Sequence, residues 1–286
     1  MISQHNKELL LCYVLGIDRA GLFLRQSNGE KLDGADRARY EGLASRVLAG
    51  EPVQYVTGEA YFMGHRFAVD PAVLIPRPET EVLCDMAIRD LTALARARAS
   101  ASMPAGEGAP ALCVLDLCTG SGALAVSIAL AVPEARVTAS DISADALSVA
   151  RMNAQELGAS DRIHFLKSDL LADLHGRDGD GAPVRYDLIV TNPPYIPTGD
   201  IADLQREVRD HEPMTALDGG TDGLDFYRRI AAEAGGFLAD GGTLLAEIGW
   251  DQGAQVKAAL EAAGFFEVSV FQDLAGRDRI VRAAIS

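Results

Sequence analysis

The sequence predicts an α/β protein: a doubly wound, mostly parallel sheet preceded by a small helical region. Three observations carry this. From residue 112 onward, short apolar runs of β propensity alternate with runs of helical spacing, the pattern of parallel strands joined by crossover helices. The first of these strands, LCVLDL, passes straight into a glycine loop, CTGSG, and then into a helix, ALAVSIALA. Residues 1 to about 60, by contrast, carry their apolar residues at helical spacing.

In chain order, NKELLLCYVLG and ADRARYEGLASRVLAG read as helices stopped by Gly16 and Gly50. AYFMGHRFAV reads as a β-hairpin, two aromatic-bearing runs turning at Met63-Gly64. LIPRPETEVL follows, and a helix is expected from Glu79 to the stretch ALARARA, whose arginines suit a solvated helix face. SASMPAGEGAPA (residues 100–111) is small, polar and rich in breakers, so it reads as a flexible loop. Strand one then occupies 112–117 and strand two RVTASD (136–141). Strand three lies in IHFLKSD and strand four in YDLIVTN, with ISADALSVARMNAQELG a helix between strands two and three. An irregular segment, 196–222, precedes the helix LDFYRRIAAEAGGFL. GTLLAEI is strand five, the helix around DQGAQVKAALEAAG follows, and FEVSVFQD and RIVRAAI are spaced as a closing hairpin. The chain thus divides into residues 1–78, helices plus a hairpin linker, and residues 79–286, the α/β domain.

With 286 residues and 48% hydrophobic content, a full core can be buried. Cys12, Cys84, Cys113 and Cys118 form no CxxC pair and have no companion histidines at metal-ligand spacing, and the five histidines do not cluster. Free thiols in a reducing cytosol, and no metal, are expected. LLLCYVLGI is too short to cross a bilayer and has no cleavage-site pattern behind it, so neither membrane nor signal peptide is expected. A net charge of −15 argues against a protein that grips naked DNA or RNA by its phosphates, because that mode needs a basic surface.

The glycine loop Asp116-Leu117-Cys118-Thr119-Gly120-Ser121-Gly122 sits where strand one becomes a helix. Glycines there let backbone amides approach a ligand at the electropositive end of a helix. Asp141 ends strand two about 20 residues further on, where an acidic side chain can accept from both hydroxyls of a ribose. Gly120-x-Gly122-x-x-Ala125 also fits the dinucleotide fingerprint. The loop therefore points to a nucleoside-bearing cofactor without choosing between NAD and S-adenosylmethionine. In an open α/β sheet the ligand lies beyond the carboxyl ends of the strands where their order reverses. With order 3-2-1-4-5, Asn192 at the end of strand four faces the loop after strand one.

The residues there read Asn192-Pro193-Pro194-Tyr195. An amide or aromatic amine nitrogen is a weak nucleophile because its lone pair is delocalised. A site that accepts both N–H hydrogens holds such a nitrogen still and favours localisation of the lone pair. The Asn192 side-chain oxygen is one acceptor, and the Pro193 carbonyl, pinned by the flanking rings, is the other. Tyr195 offers a flat face to a planar group. A carboxylate is no substitute, since it would add charge beside a cation whose charge is being consumed. A neutral, rigid double acceptor with a stacking wall suits N-methylation of a planar NH2 group.

Here the sequence resembles the HemK/PrmC family of peptide chain release factor methyltransferases. QYVTGEAYFMGHRFAV, VLIPRPETE, DLCTGSGALAVSIA, TNPPYIP and HEPMTALDGGTDGLDFYRRI are similar to the family's blocks, in order, from about Glu51 to the C-terminus. The resemblance implies a Rossmann-like class I methyltransferase domain whose seven-stranded sheet has the order 3-2-1-4-5-7-6. It also implies a helical N-terminal substrate-recognition domain. The implied reaction moves a methyl group from S-adenosyl-L-methionine, leaving S-adenosyl-L-homocysteine, to the N5 amide of the glutamine in the Gly-Gly-Gln (GGQ) motif of class-1 release factors. By the same resemblance Thr119, Gly120, Ser121 and Gly122 line the methionine end of the cofactor, and Asp141 holds the ribose. Asp169 or Leu170 lies near the adenine, and Asn192, Pro193, Pro194 and Tyr195 hold the glutamine. The family usually has glycine where this chain has Cys118, so a role there that needs positive φ is put in question; no base partners the thiol as a nucleophile. A cytoplasmic monomer without direct DNA binding is expected.

Arg77 and Glu79 either shape the entrance to the site or pair with each other. Pro76 and Pro78 stiffen the link between domains, His211 is expected at the surface, and Trp250 in the core. The alternatives are a ribosomal-protein glutamine methyltransferase, a DNA adenine-N6 methyltransferase, for which no basic recognition region is visible, and an NAD-dependent oxidoreductase.

Overall fold

A computed structural model describes residues 2–101, 111–174 and 184–285. The chain opens with four helices: α1 (Gln4–Leu15), α2 (Arg19–Ser27), α3 (Gly34–Ala49) and α4 (Val53–Thr57). Ser3, Asp18 and Asp33 cap the first three by accepting backbone N–H groups that the helices leave unpaired. Gly16 and Gly50 end α1 and α3 in the left-handed conformation, as their positions imply. Leu10, Ala44, Val47, Val53 and Val56 form a separate small core among these helices. The sequence reading missed α2 and α4. At nine and five residues these two helices are too short to sustain a readable apolar period.

β1 (Glu59–Phe62) and β2 (His65–Ala68) form the expected hairpin, turned by Met63 (φ 49°) and Gly64 (φ 77°). Phe62 and Phe67 meet edge to face at 6.2 Å and are buried in the larger core of the α/β domain. Each such burial contributes about 1.5–3 kcal/mol, so the hairpin is part of the α/β body rather than a loose tether. Asn153 reinforces this: its side chain bonds Ala68 N at 2.7 Å, Ala68 O at 3.0 Å and Ser121 O at 2.9 Å. α5 (Pro78–Ala101) starts with proline at its first position and Glu79 and Glu81 in its first turn, where a helix favours negative charge. Of the expected loop at 100–111, residues 102–110 lie outside the described residues.

The α/β domain then runs β3 (Leu112–Leu117), α6 (Ala123–Ala131), β4 (Ala135–Asp141), α7 (Ala144–Glu156), β5 (Ile163–Lys167) and β6 (Tyr186–Thr191). It continues with α8 (Arg206–His211), α9 (Asp225–Ala234), β7 (Leu238–Glu247), α10 (Gly253–Ala262), β8 (Phe266–Gln272) and β9 (Asp278–Ala284). The sheet order is β5-β4-β3-β6-β7-β9-β8, which is the expected 3-2-1-4-5-7-6. All neighbours from β5 to β7 are parallel, and β9 runs antiparallel to both β7 and β8. One apolar core fills each face of the sheet. α6 is apolar all round because it is buried all round.

Three expectations need correction. The segment 196–222 is not featureless: it holds α8 and two 3-10 helices, Thr198–Asp203 and Met214–Ala216, each too short to show a period. β7 begins at Leu238, four residues before the GTLLAEI run, because a register irregularity opposite Tyr186 and Leu188 absorbs polar, glycine-bearing residues. Trp250 is 63% exposed instead of buried. It opens the turn into α10 on the solvent side. His211 is half-buried at the end of α8.

Candidate active site

β3 and β6 are neighbours, and their last paired residues are Leu117 and Thr191. Thr191 Oγ1 donates to Leu117 O at 2.9 Å, which locks the two strand ends together. The next residues, Cys118 and Asn192, therefore leave the sheet side by side where strand order reverses, the place where open α/β sheets bind ligands. A cavity of about 440 Å³ opens there, and Thr119, Gly120, Ser121, Asp141 and Asn192 are among its walls.

The loop folds back on Asp116, whose Oδ2 accepts from Thr119 Oγ1 at 2.6 Å and from Ala125 N at 3.1 Å. Complete burial pushes this carboxyl up to about 7 against those hydrogen bonds, and its Oδ1 has no partner among the described residues. Gly120 (φ 54°) gives its N–H to Asp141 at 2.9 Å. Gly122 is left-handed at φ 79°, and a Cβ there would stand 3.0 Å from the Cβ of Ala150. Gly122 is absent from the cavity wall, so its place is the close packing of α6 on α7.

Cys118 adopts φ 60°, so the positive φ that its presence had put in question is in fact required here. Burial holds its thiol far above the usual range, and Asp141 and Asp116 push the same way. The thiol stays protonated and is no nucleophile. A residue with a Cβ in the left-handed region costs about 1–2 kcal/mol. Cys118→Gly is therefore expected to hold or raise the melting temperature. Cys118→Val, branched and larger, is expected to lose about 1–3 kcal/mol. Calorimetric melting of both variants checks the pair.

Asp141 Oδ1 accepts from Ser143 N at 2.9 Å, while Oδ2 takes Gly120 N. Its pKa is raised, chiefly by burial. Each carboxylate oxygen keeps a free lone pair for a further donor. Asp169 and Leu170 both line the cavity. Asp169 pairs with Arg229 at 2.8 Å, about half exposed, and such pairs contribute little to stability. Leu170 is buried with φ 51°, and Ser168 Oγ donates to its carbonyl at 2.7 Å.

At the other wall, Asn192 Nδ2 donates to Thr80 Oγ1 at 3.1 Å, and Thr80 Oγ1 donates to Glu247 Oε2 at 2.6 Å. Tyr195 OH reaches Glu247 Oε1 at 3.4 Å, and Tyr227 OH donates to the Glu247 carbonyl at 2.6 Å. Burial raises Glu247 to about 7. Pro194 lines the cavity, and beside it Pro193 is buried and Tyr195 half-buried. The backbone leaving Tyr195 is clamped: Gln252 Nε2 donates to Tyr195 O at 2.9 Å, and Gly219 packs so closely that a Cβ there would lie 2.7 Å from Tyr195 Cα. Close approach to the Tyr195 backbone explains Gly219 and Gly223 of DGGTDG.

Arg77 lines the cavity and pairs with Glu212, a buried carboxylate, rather than with Glu79. Glu79 is exposed and outside the cavity wall, in the first turn of α5. Reasoning from sequence missed Thr80, Glu247, Glu212 and Ser140. Thr80 directly follows Glu79, but nothing in the sequence distinguishes a hydroxyl that faces a strand end 112 residues away. Among the described residues no group of three or more His, Cys, Asp or Glu is arranged to hold a metal.

Residues 2–58 match the family model described as the PrmC N-terminal domain, and residues 106–207 that of the methyltransferase small domain. A Bordetella pertussis protein named release factor glutamine methyltransferase is 45% identical over 272 residues, covering 95% of this chain and 91% of its own length. One of the same name from Chlorobaculum tepidum is 43% identical over 274 residues, covering 96% of this chain and 87% of its own. Among solved structures, the N-terminal domain of human METTL16 in complex with SAH aligns with a TM-score of 0.52 at 16% identity, over 77% of this chain and 75% of that one. That last likeness is one of fold.

Proposed function

Because this chain belongs to the release factor glutamine methyltransferase family, we propose that its cavity holds S-adenosylmethionine and that Asn192, Pro193 and Tyr195 present the glutamine amide of a release factor's Gly-Gly-Gln motif. The chain is then a protein-(glutamine-N5) methyltransferase. The observation that carries this reading is the juxtaposition of Asn192 with the glycine loop across the β3–β6 pair.

The residues present suit such a cofactor. Ser140 Oγ is buried in the cavity wall without a partner among the described residues, a donor awaiting a ligand. Asp141 has lone pairs for two ribose hydroxyls, and Ile142 and Leu170 supply apolar surface for a base. Thr119, Gly120 and Ser121 stand at the methionine end. When bound, S-adenosylmethionine supplies a methyl carried on a positively charged sulfur.

The chain's own residues do the rest. Asn192 has its NH2 committed to Thr80, which leaves its carbonyl oxygen as the atom for one substrate N–H. The Pro193 carbonyl takes the other, and proline rings on both sides of that carbonyl restrict its direction. The Tyr195 ring, anchored through its hydroxyl, walls the amide plane. Held this way, the nitrogen is aimed for in-line attack, where positioning supplies a large share of the rate. It gains one methyl and gives up one proton. The helices ahead of the hairpin serve to recognise the release factor, and the net charge of −15 favours a protein over bare nucleic acid as the substrate.

Labelled methyl transfer to purified class-1 release factor tests this. Label is expected on the native factor and not on a factor whose Gly-Gly-Gln glutamine is replaced by alanine. Transfer to both, or to ribosomal protein instead of either, would overturn the assignment.

A further inference from the structure

We infer that Thr80 and Glu247 are positioning residues that fix which way the Asn192 amide faces, and that the proton state of Glu247 switches this orientation. The inference rests on the role just proposed for Asn192. An amide flipped by 180° would present NH2 to a substrate NH2, a donor against a donor. Asn192 works as an acceptor only while something holds its Nδ2 away from the substrate.

The structure contains that device. An ionised carboxylate only accepts, so Glu247 Oε2 must take the hydroxyl hydrogen of Thr80 at 2.6 Å. The Thr80 oxygen is then left as an acceptor, and the Asn192 group that satisfies it at 3.1 Å is the NH2. The relay thus transmits one bit of information from a buried charge to the substrate-facing amide. Protonated Glu247 can instead donate to Thr80. That frees the hydroxyl hydrogen for the Asn192 oxygen and removes the preference. Thr80 and Glu247 are 6% and 1% exposed, so bulk solvent screens this pair little.

Glu247 is faced by groups from several elements. Thr80 and Glu79 stand on α5, Arg279 on β9, Tyr195 after β6 and Tyr227 on α9. Arg279 and the two side-chain hydrogen bonds favour the carboxylate, while burial and Glu79 oppose it and leave it at about 7. The switch therefore sits where modest acidification moves it.

The test compares Thr80→Val, Thr80→Ser, Glu247→Gln and Asn192→Ala in kcat, KM for each substrate, melting temperature and kcat against pH from about 6 to 9, a window bracketing the carboxyl. Thr80→Val keeps the shape without the hydroxyl, and its kcat is expected to fall about 10- to 100-fold with cofactor affinity within twofold. Thr80→Ser is expected to recover most of that loss. Wild-type kcat should rise with pH through about 7, and Glu247→Gln, which cannot ionise, should lose that limb. Wild-type kcat in Thr80→Val alongside an inactive Asn192→Ala would overturn this inference alone, as would an unchanged acid limb in Glu247→Gln. Full activity in Asn192→Ala would instead sink the role given to Asn192 itself. Should Thr80→Val fail to fold, the Thr80→Ser rate and the Glu247→Gln profile still decide.

Discussion

Replacing Asn192 by alanine is expected to lower kcat for glutamine methylation by about 10²- to 10³-fold, the usual effect of removing one preorganised hydrogen-bonding group from a reacting centre. Cofactor affinity should change only a few-fold, because Asp141 and the glycine loop form the opposite wall of the same cavity. The alanine removes the acceptor that holds one N–H, and it also orphans Thr80, whose oxygen loses its donor at 3.1 Å. Asn192→Asp is expected to be no better, although it has two acceptor oxygens. Aspartate cannot donate to Thr80, and it would place a second carboxylate on the hydroxyl already bound to Glu247 at 2.6 Å. Single-turnover methyl transfer with saturating cofactor, run beside a cofactor-binding titration, separates the chemical step from binding. A matched fall in both quantities would mean that Asn192 builds the cofactor site rather than presenting the amide.

Asp141→Ala is expected to weaken S-adenosylmethionine binding about 10- to 100-fold, since a hydrogen bond to a charged group contributes about 1.5–3 kcal/mol and each 1.4 kcal/mol is tenfold. Two losses combine. The ribose loses its carboxylate, and Gly120 and Ser143 lose the acceptor that orders their amides at 2.9 Å. Asn at this position should lie in between, because its NH2 must face one of those two N–H donors. The pKa of Asp141 is raised by burial, so the carboxylate form is the one lost first on acidification. Wild-type affinity should accordingly weaken toward acid pH, and Asp141→Asn affinity should not follow. Isothermal titration across pH, with kcat measured at saturating cofactor, checks both statements. An unchanged affinity in the alanine variant would move the ribose contact elsewhere in the cavity.

What was legible in the sequence follows from chemistry that is local in the chain. Gly16 and Gly50 announce helix ends because only the left-handed region completes those caps. Met63-Gly64 announces a hairpin because both residues take positive φ. The alternation of strands and helices was legible in the same way, whereas the full strand order came from the resemblance to a known family. Asn192-Pro193-Pro194-Tyr195 was readable because four adjacent residues carry nearly all of its chemistry. α2 was not readable, since its nine residues are too few to display a sustained helical period.

The sequence by itself determined the seven-stranded α/β domain, the glycine loop with its acid on the next strand, and the Asn-Pro-Pro-Tyr motif at the end of the fourth strand. Only the tertiary structure decided that Arg77 pairs with Glu212 and not with its neighbour Glu79, and that Gly122 serves helix packing rather than the cavity wall. It alone revealed that Cys118 carries a left-handed backbone and that Thr80 connects Glu247 to Asn192. The physical reason is range. Caps, turns and strand periodicity arise between residues a few positions apart. Hydrogen bonds such as Asn192 to Thr80 join residues 112 positions apart, and their partners are set by how whole layers pack, which no short stretch of sequence contains.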